Sequence, residues 1–151
     1  MNREILFKAK RIDNGEWVEG YYIYHIKRTI CPFGDSVKPE DEQHVIMQDG
    51  FSDWNMPRDT VVYEIDPDTI CQYTGLVDKN GKKIWENDIV RRTDLHVVSE
   101  PSVGFIEYDL ENTSFLIHWT DKVEYSPTYH WKDRLEVIGN IFDNPDLLEA
   151  K

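Results

Sequence analysis

The sequence has no long hydrophobic run, few basic residues and only two cysteines, and each shortage excludes a class of protein. No stretch approaches the roughly 20 apolar residues that a membrane-spanning helix needs. The N-terminal segment, MNREILFKAKRI, is interrupted by charges and lacks the apolar centre of a secretory signal. We therefore expect a cytosolic protein without a membrane partner, in which Cys31 and Cys71 are reduced thiols rather than a disulfide.

The shortage of basic residues limits the partners of the protein. The 17 basic and 29 acidic residues give a net charge of −12. Residues 1–28 carry six basic and four acidic groups (+2), whereas residues 29–75 carry two and ten (−8). Because a nucleic-acid backbone needs a cationic face, nucleic acid is disfavoured as a partner.

Motifs for cofactors and metals are also missing. Gly75 and Gly81 lie in turn sequences with no helix after them, so neither forms a phosphate-binding loop. Cys31, His44 and Cys71 lack the close paired spacing of structural zinc ligands. The sequence therefore predicts no cofactor and no metal site.

No catalytic constellation stands out either. His118 and His130 flank the acidic residues Asp121 and Glu124, and acid–base chemistry would require the fold to bring them together. A histidine on a strand that faces solvent is the commoner arrangement. We therefore predict that the protein is not an enzyme.

What the sequence does contain is β-structure. It is 40% hydrophobic and 13% aromatic, which indicates a globular protein. Short apolar runs alternate with turn residues such as Asn14-Gly15 and Asn80-Gly81, a pattern typical of hairpins. We predict strands over Glu4–Ile12, Trp17–Ile26, His44–Gln48, Val61–Ile65, Gly75–Lys79, Lys82–Trp85 and Asp88–Arg92, a hairpin over Val103–Trp119, and a last strand over residues 135–142 with a bend at Gly139.

The remaining segments predict loops and short helical turns. Residues 29–43 contain two prolines, a glycine and an acidic run, which is typical of an exposed loop. Asp66 followed by Pro67 predicts the start of one helical turn, and Asp143-Asn144-Pro145 predicts the cap of another over DLLEA.

Three segments carry a family resemblance: EILFKAKRIDNGEWVEGY, DPDTICQYTGLVDKNGKKIWENDIV and LEVIGNIFDNPDLL. Together they resemble the YopX-like family of phage and prophage proteins. The chain departs from the family at Cys71, where a small residue is common, and at Asn87, where glycine is common. We expect Asn87 to keep the positive φ that glycine would supply. The resemblance implies a small, oligomeric cytosolic protein of a phage, without an established activity or catalytic residues to transfer.

The predicted fold class is mainly β, with a β-rich α+β fold as the alternative. Residues 1–73 form a hairpin-rich subdomain with long acidic loops in this interpretation. The central hairpin, followed by the corner Glu86-Asn87-Asp88 and a strand, resembles the entry to an SH3-like barrel. Residues 74–151 are therefore predicted to form such a barrel with a short C-terminal helical turn.

Two groups of residues are candidates for an interaction surface. The first is the only dense basic cluster after residue 28, and it includes Trp85 as a stacking platform for bases. The second is an excess of aromatic residues, since Tyr21, Tyr22 and Tyr24 point to both faces of one strand. The candidate residues for such a surface are Lys79, Lys82, Lys83, Trp85, Arg91, Arg92, Tyr22, Tyr24 and Trp54.

Three functions remain open at this level. The favoured one is a protein that self-associates and binds a host or phage protein. The second is an acidic decoy that occupies the nucleic-acid groove of a host enzyme, suggested by the −8 segment. The third is weak nucleic-acid binding through the basic cluster of residues 79–92.

Overall fold

The computed structural model describes residues 1–93, 102–120, 125–128 and 132–149. The predicted mainly-β class is confirmed: the strands form antiparallel sheets, and no described helix reaches seven residues. Among the described residues, no helix is long and apolar enough to cross a membrane. The chain divides into an N-terminal unit, Ile5–Ile70, and a C-terminal unit, Cys71–Lys151 together with Met1–Glu4.

The N-terminal unit is a four-stranded antiparallel arrangement in the order β4-β3-β2-β1. Its strands pair in register along the chain, for example Ala9 with Val18 and Tyr21 with Met47. The strands are β1 (Phe7–Lys10), β2 (Trp17–Ile26), β3 (Glu42–Asp49) and β4 (Thr60–Glu64).

The N-terminal unit curls so that the end of β4 returns to the end of β1. Arg11 and Ile65 form an antiparallel bridge, and the Ile12 N–H donates to the Glu64 carbonyl at 3.1 Å. This closure surrounds a small core of Ala9, Ile46 and Ile65, all at most 1% exposed. Strand β1 is shorter at both ends than the predicted Glu4–Ile12, and beyond its C-terminal end the Ile12 N–H bonds Glu64 of β4 rather than β2.

The C-terminal unit contains a five-stranded antiparallel sheet, in the order β10-β9-β8-β7-β11, and a hairpin made of β5 and β6. The strands are β5 (Cys71–Val77), β6 (Lys83–Trp85), β7 (Asp88–Arg92), β8 (Val103–Asp109), β9 (Ser114–Trp119), β10 (Tyr125–Pro127) and β11 (Leu135–Asn140). The core of this unit contains Ile84, Val90, Ile106, Ile117, Trp119, Leu135 and Val137. The finer expectation of an SH3-like barrel stays a prediction.

Several local predictions are confirmed. Strands β2 and β7 have the predicted bounds, and β11 has a register shift between Val137 and Gly139, where the bend was expected. Ile117 and Trp119 share the buried face of β9.

Asp66 caps a 3₁₀ turn over Pro67–Thr69 by accepting from the Asp68 N–H at 3.0 Å. Residue 87 has φ 65°, as expected for a position where glycine is common.

Other predictions need correction. The loop predicted over residues 29–43 ends earlier, because a 3₁₀ turn at Pro39–Asp41 leads directly into β3. The C-terminal 3₁₀ turn, Pro145–Leu148, has no side-chain cap from Asn144, whose Oδ1 instead accepts from the Asn140 N–H at 3.4 Å. Of the two cysteines, Cys71 is buried whereas Cys31 is exposed.

Candidate interaction surface

The tip of the β5–β6 hairpin is built around the buried carboxylate of Asp78. It accepts hydrogen bonds from the backbone N–H groups of Asn80 (2.8 Å), Lys82 (2.9 Å) and Val137 (3.0 Å). Gly81 has φ 81°, the left-handed conformation that a three-residue hairpin loop requires at its last position. Burial alone would raise the pKa of Asp78, but these three bonds hold the pKa below its ordinary value.

Most of the basic cluster is engaged within the C-terminal unit. Arg91 Nη2 lies 2.7 Å and Lys79 Nζ 3.6 Å from Glu136 Oε2, and the bond from Arg91 lowers the pKa of Glu136. The Lys83 ammonium lies over the rings of Tyr73 and Trp85, 5.4 and 5.9 Å from their centroids. The cluster is therefore a weaker attractor of phosphate than the sequence suggested.

Trp85 does not fit the predicted role of a base-stacking platform. Its side chain is 4% exposed and packs against Tyr73, with 5.4 Å between the ring centroids. A ring buried in this way has no open face for a nucleobase. The structure corrects this expectation, and it removes the main aromatic support for nucleic-acid binding by residues 79–92.

The corner after Trp85 also serves the fold. Asp88, 2% exposed, accepts from the Trp85 N–H at 2.8 Å, and Asn87 holds the left-handed turn between them. Glu86 Oε2 accepts from the Gln72 N–H at 3.3 Å, and burial raises the pKa of Glu86. Glu86, Asn87 and Asp88 thus stabilise the β5–β6 hairpin and the corner that leads from β6 into β7.

The aromatic residues of β2 divide between the two faces, as predicted. Tyr22 and Tyr24 lie on the same face as His44, and the Tyr22 hydroxyl is 2.7 Å from His44 Nδ1. The Tyr24 hydroxyl donates to Glu42 Oε1 at 3.1 Å. Tyr22 is half-buried beside the core, whereas Tyr24 is 48% exposed. Only Tyr24 of this pair offers much ring surface to a partner.

Among the described residues, the most exposed large apolar side chain, that of Trp54, lies on the connection between β3 and β4, Gly50–Asp59, which we call the aromatic loop. Trp54 is 96% exposed and Phe51 92%, and Met56 is 62% exposed. Isolated exposed apolar residues are normal, but three large ones within six positions form a concentrated patch. Of the predicted candidates, Trp54 alone belongs to this loop.

Short-range bonds hold the aromatic loop in a defined shape. The Gly50 N–H donates to the Asp59 carbonyl at 2.7 Å, and Arg58 Nη1 bonds Asp49 Oδ2 at 3.0 Å across the base. At the tip, the Met56 N–H donates to the Asp53 carbonyl at 3.2 Å. Asn55 has φ 61°, a conformation that asparagine tolerates better than most residues.

The loop also contains a shallow depression. It has a volume of about 370 Å³ and is lined by Ser52, Asp53, Trp54, Asn55, Met56 and Arg58. The sequence pattern DGFSDWNMPRD predicted a turn-rich connection, but it did not show that both rings would point to solvent. The spacing of Phe51, Trp54 and Met56 among turn-forming residues is the signal that could have indicated an exposed patch.

The described residues show no group of three or more metal-ligating side chains. His118 Nδ1 lies 3.6 Å from Glu107 Oε2 on the same face of β8 and β9. The predicted pairing of His118 with His130, Asp121 or Glu124 lies outside the described residues.

Comparisons with known proteins support the family resemblance that the three quoted sequence segments carry. The family model described as YopX protein matches residues 6–149. The chain belongs to the YopX family. A solved structure, the crystal structure of protein EF1440 from Enterococcus faecalis, is 25% identical to this YopX family chain. The match covers 97% of this chain and 99% of that one, with a TM-score of 0.51. No curated protein matches the chain.

Proposed function

We propose that this YopX family protein is a non-enzymatic interaction protein of a phage or prophage, acting in the cytosol of the bacterial host. It binds a host or phage protein through the aromatic loop. The observation that carries the proposal is the near-complete exposure of Trp54 and Phe51 on a loop closed by hydrogen bonds at its base. Tryptophan is the residue type most enriched among binding hot spots.

Burial of the exposed rings of the aromatic loop against a partner would supply a large part of the binding free energy. An aromatic side chain buries about 150–250 Å² in an interface. At about 25 cal/mol per Å², each ring contributes roughly 4–6 kcal/mol before the costs of association. Because the loop is already held by Arg58–Asp49 and Gly50–Asp59 contacts, less conformational entropy is lost on binding.

The structure gives less support to the acidic-decoy alternative. Arg28 bonds both Asp35 and Asp41, and Arg58 bonds Asp49, so three carboxylates of the acidic segment already have cationic partners. A mimic of nucleic acid would present a row of uncompensated charges. The proposal therefore rests on the exposed apolar side chains of the aromatic loop rather than on the negative charge of the acidic segment.

The test compares removal of the Trp54 ring with removal of another highly exposed ring, that of Phe33. Tagged wild-type protein, Trp54→Ala and Phe33→Ala are used to capture proteins from infected and uninfected host lysate at moderate salt. Phe33 is 89% exposed on the connection that precedes β3, so it controls for the loss of any exposed ring.

We expect one protein to be retained by the wild type and by Phe33→Ala, and its recovery to fall at least about tenfold with Trp54→Ala, as loss of a hot spot predicts. Equal recovery by all three proteins would show that the aromatic loop is not the binding surface. Capture of no protein under either infection condition would overturn the proposal itself.

A further inference from the structure

Strand β2 is longer than its neighbour β1, so part of one edge of β2 has no adjacent strand. On one side, β1 pairs with residues 17–20 and begins at Phe7, the partner of Gly20. On the other side, β3 pairs with residues 21–26. We call the β1 side of residues 22–26 the open edge, because no strand among the described residues pairs with β2 there.

The backbone groups of alternate residues point towards the open edge. The Lys27 N–H donates to the Asp41 carbonyl at 2.7 Å, on the β3 side. Because successive N–H and C=O groups of a strand point in opposite directions, residues 21, 23 and 25 bond β3 and residues 22, 24 and 26 point away from it. Within the described part of the chain, no hydrogen bond engages the N–H or C=O groups of these three residues.

The open edge is accessible and lacks the usual protection of a sheet edge. Tyr24 is 48% and Ile23 37% exposed, and His25 is exposed as well. Proteins commonly protect such edges with lysine, proline or a bulge. Residues 22–26 contain no lysine or proline, and they pair with β3 without a register shift. An unprotected row of backbone donors and acceptors is a template for the addition of another strand.

The side chains beside the open edge determine which kind of strand fits. On one face lie Tyr22 and Tyr24, and the Tyr24 hydroxyl donates to the Glu42 carboxylate at 3.1 Å. On the other face lies Ile23, and the exposed Lys27 follows the end of β2. Because cross-strand neighbours interact, apolar residues suit the tyrosine face, where an added carboxylate would meet Glu42. An acidic residue suits the end of the edge, where it meets Lys27.

We propose that the open edge binds an extended segment of another protein, which adds to β2 as an antiparallel strand. Its apolar residues pair with Tyr22, Tyr24 and Ile26, and an acidic residue lies beside Lys27. The backbone bonds supply affinity, and the alternate side chains supply selectivity. A basic segment would meet a like charge at Lys27, and a helix has no free backbone groups for the edge. The site lies outside the aromatic loop and goes beyond the function proposed for that loop.

Amide hydrogen exchange of the full chain, followed by NMR, tests whether the edge is open. We expect the Tyr24 N–H to exchange at least about tenfold faster than those of Ile23 and His25, which bond β3. Slow exchange at Tyr24 in dilute protein would show that the chain itself covers the edge. Slow exchange that develops only as the protein is concentrated would show that a second copy covers it. Either result would overturn the inference.

The probe for binding is the end-blocked peptide EVEVTVT. In the antiparallel arrangement its valines pair with residues 22, 24 and 26, and its first glutamate lies opposite Lys27. We expect the peptide to slow exchange of the Tyr24 N–H at concentrations up to about 1 mM, the range of weak specific binding. The peptide KVKVTVT should bind several-fold more weakly, because its lysines meet Lys27. Absence of binding by EVEVTVT would overturn the inference, and equal binding by KVKVTVT would overturn the choice of an acidic segment.

N-methylated peptides test whether backbone bonds hold the added strand. Methylation of the middle valine removes an N–H that points to β2, so binding should weaken at least about tenfold. Methylation of the second glutamate is the matched control, because that N–H points away from β2, and binding should change little. Equal effects of the two methyl groups would overturn strand addition. This comparison uses the wild-type protein, so it does not depend on the folding of any variant.

Tyr24→Pro tests the same bond from the side of the protein. Proline is tolerated on a strand edge where the N–H faces solvent, so circular dichroism should show the wild-type β signal while peptide binding is lost. Val62→Pro is the matched control on β4. The Ile65 N–H donates to the His44 carbonyl of β3, so the Val62 N–H also points away from β3, and Val62 is 54% exposed.

We expect Val62→Pro to bind the peptide like the wild type. Retained binding by Tyr24→Pro, or an equal loss in Val62→Pro, would overturn the assignment of the site to the open edge. Trp54→Ala should also bind the peptide like the wild type, because Trp54 lies outside the site. The proposal for the aromatic loop and the inference about the open edge can therefore fail separately.

Discussion

The carboxylate of Asp78 accepts a hydrogen bond 3.0 Å long from the backbone N–H of Val137, which lies 59 positions further along the chain. The same carboxylate organises its own turn through the N–H groups of Asn80 and Lys82. One side chain thus shapes the β5–β6 hairpin and joins the hairpin to β11. The hairpin tip has a structural role whatever its lysines bind.

Asp78→Asn should lower the free energy of unfolding by about 1–3 kcal/mol, because the amide has only one acceptor oxygen for three N–H groups, of which that of Val137 is buried. Denaturant titration followed by circular dichroism measures the change. Asp68→Asn, on the exposed 3₁₀ turn after β4, is the control and should stay within about 0.5 kcal/mol of the wild type. Equal effects at the two positions would contradict the role assigned to Asp78.

The left-handed residue in the corner before β7 gives a second prediction. Asn87→Gly should leave stability nearly unchanged, whereas Asn87→Ala should cost about 1–2 kcal/mol, because alanine resists φ 65°. The side chain also donates to Cys71 Sγ at 3.6 Å, a weak bond that both variants lose equally. The difference between the two midpoints of denaturant unfolding therefore reports the backbone effect.

Asn80→Ala is the control for this prediction. Asn80 lies in the neighbouring hairpin tip and is not among the residues with positive φ. Its replacement by alanine should have a smaller effect than Asn87→Ala. If Asn87→Gly proved as damaging as Asn87→Ala, the side chain rather than the backbone would be the important feature of the corner.

Elements with local causes could be predicted from the sequence. The bounds of β2 and β7 follow from short apolar runs between turn formers, and the positive φ of Asn87 was expected from the glycine that is common at this position in the family. The Arg11–Ile65 bridge and the Asp78–Val137 bond join distant parts of the chain, and no local pattern indicates them.

The candidate site was harder to predict for the same reason. Trp54 and Trp85 are both tryptophans near turn residues, yet Trp54 is 96% exposed and Trp85 is 4% exposed. Trp85 follows a strand residue of the core, Ile84, whereas Trp54 lies on a loop whose ends are joined by β3 and β4. Burial depends on what the rest of the fold places against each ring, which composition does not reveal.

The connection between β2 and β3 should respond to acid through Arg28. Its guanidinium bonds Asp41 Oδ1 and Asp35 Oδ2, each at 2.7 Å, and the Arg28 bond is the main reason that the pKa of Asp35 falls to about 2. A pKa lowered in the folded state gives stability that is present above the unfolded value, 3.8, and is lost as pH falls towards about 2.

A carboxyl-carbon NMR titration measures this effect directly. The midpoint for Asp35 should lie at about 2 in the wild type and move towards 3.8 in Arg28→Gln. Lys27→Gln removes the neighbouring cation, which makes no bond to either carboxylate among the bonds described for them, and should leave the midpoint near that of the wild type. An unchanged midpoint in Arg28→Gln would exclude the guanidinium as the cause.

The two tryptophans of opposite exposure give the last prediction. Trp85→Ala should lower the free energy of unfolding by about 3–5 kcal/mol, because it leaves a cavity where the ring packs against Tyr73. Trp54→Ala should change it by less than about 0.5 kcal/mol, because the ring touches little of the folded chain. Circular dichroism follows both transitions without relying on tryptophan emission.

This comparison also decides how the binding experiments are interpreted. If Trp54→Ala keeps the stability of the wild type and loses its partner, the loss comes from the interface and not from unfolding. A large destabilisation by Trp54→Ala would mean that the ring packs within the protein in solution, and the aromatic loop could not then be the anchor. A tryptophan with no folding role that is needed for binding is the result expected of an interaction residue.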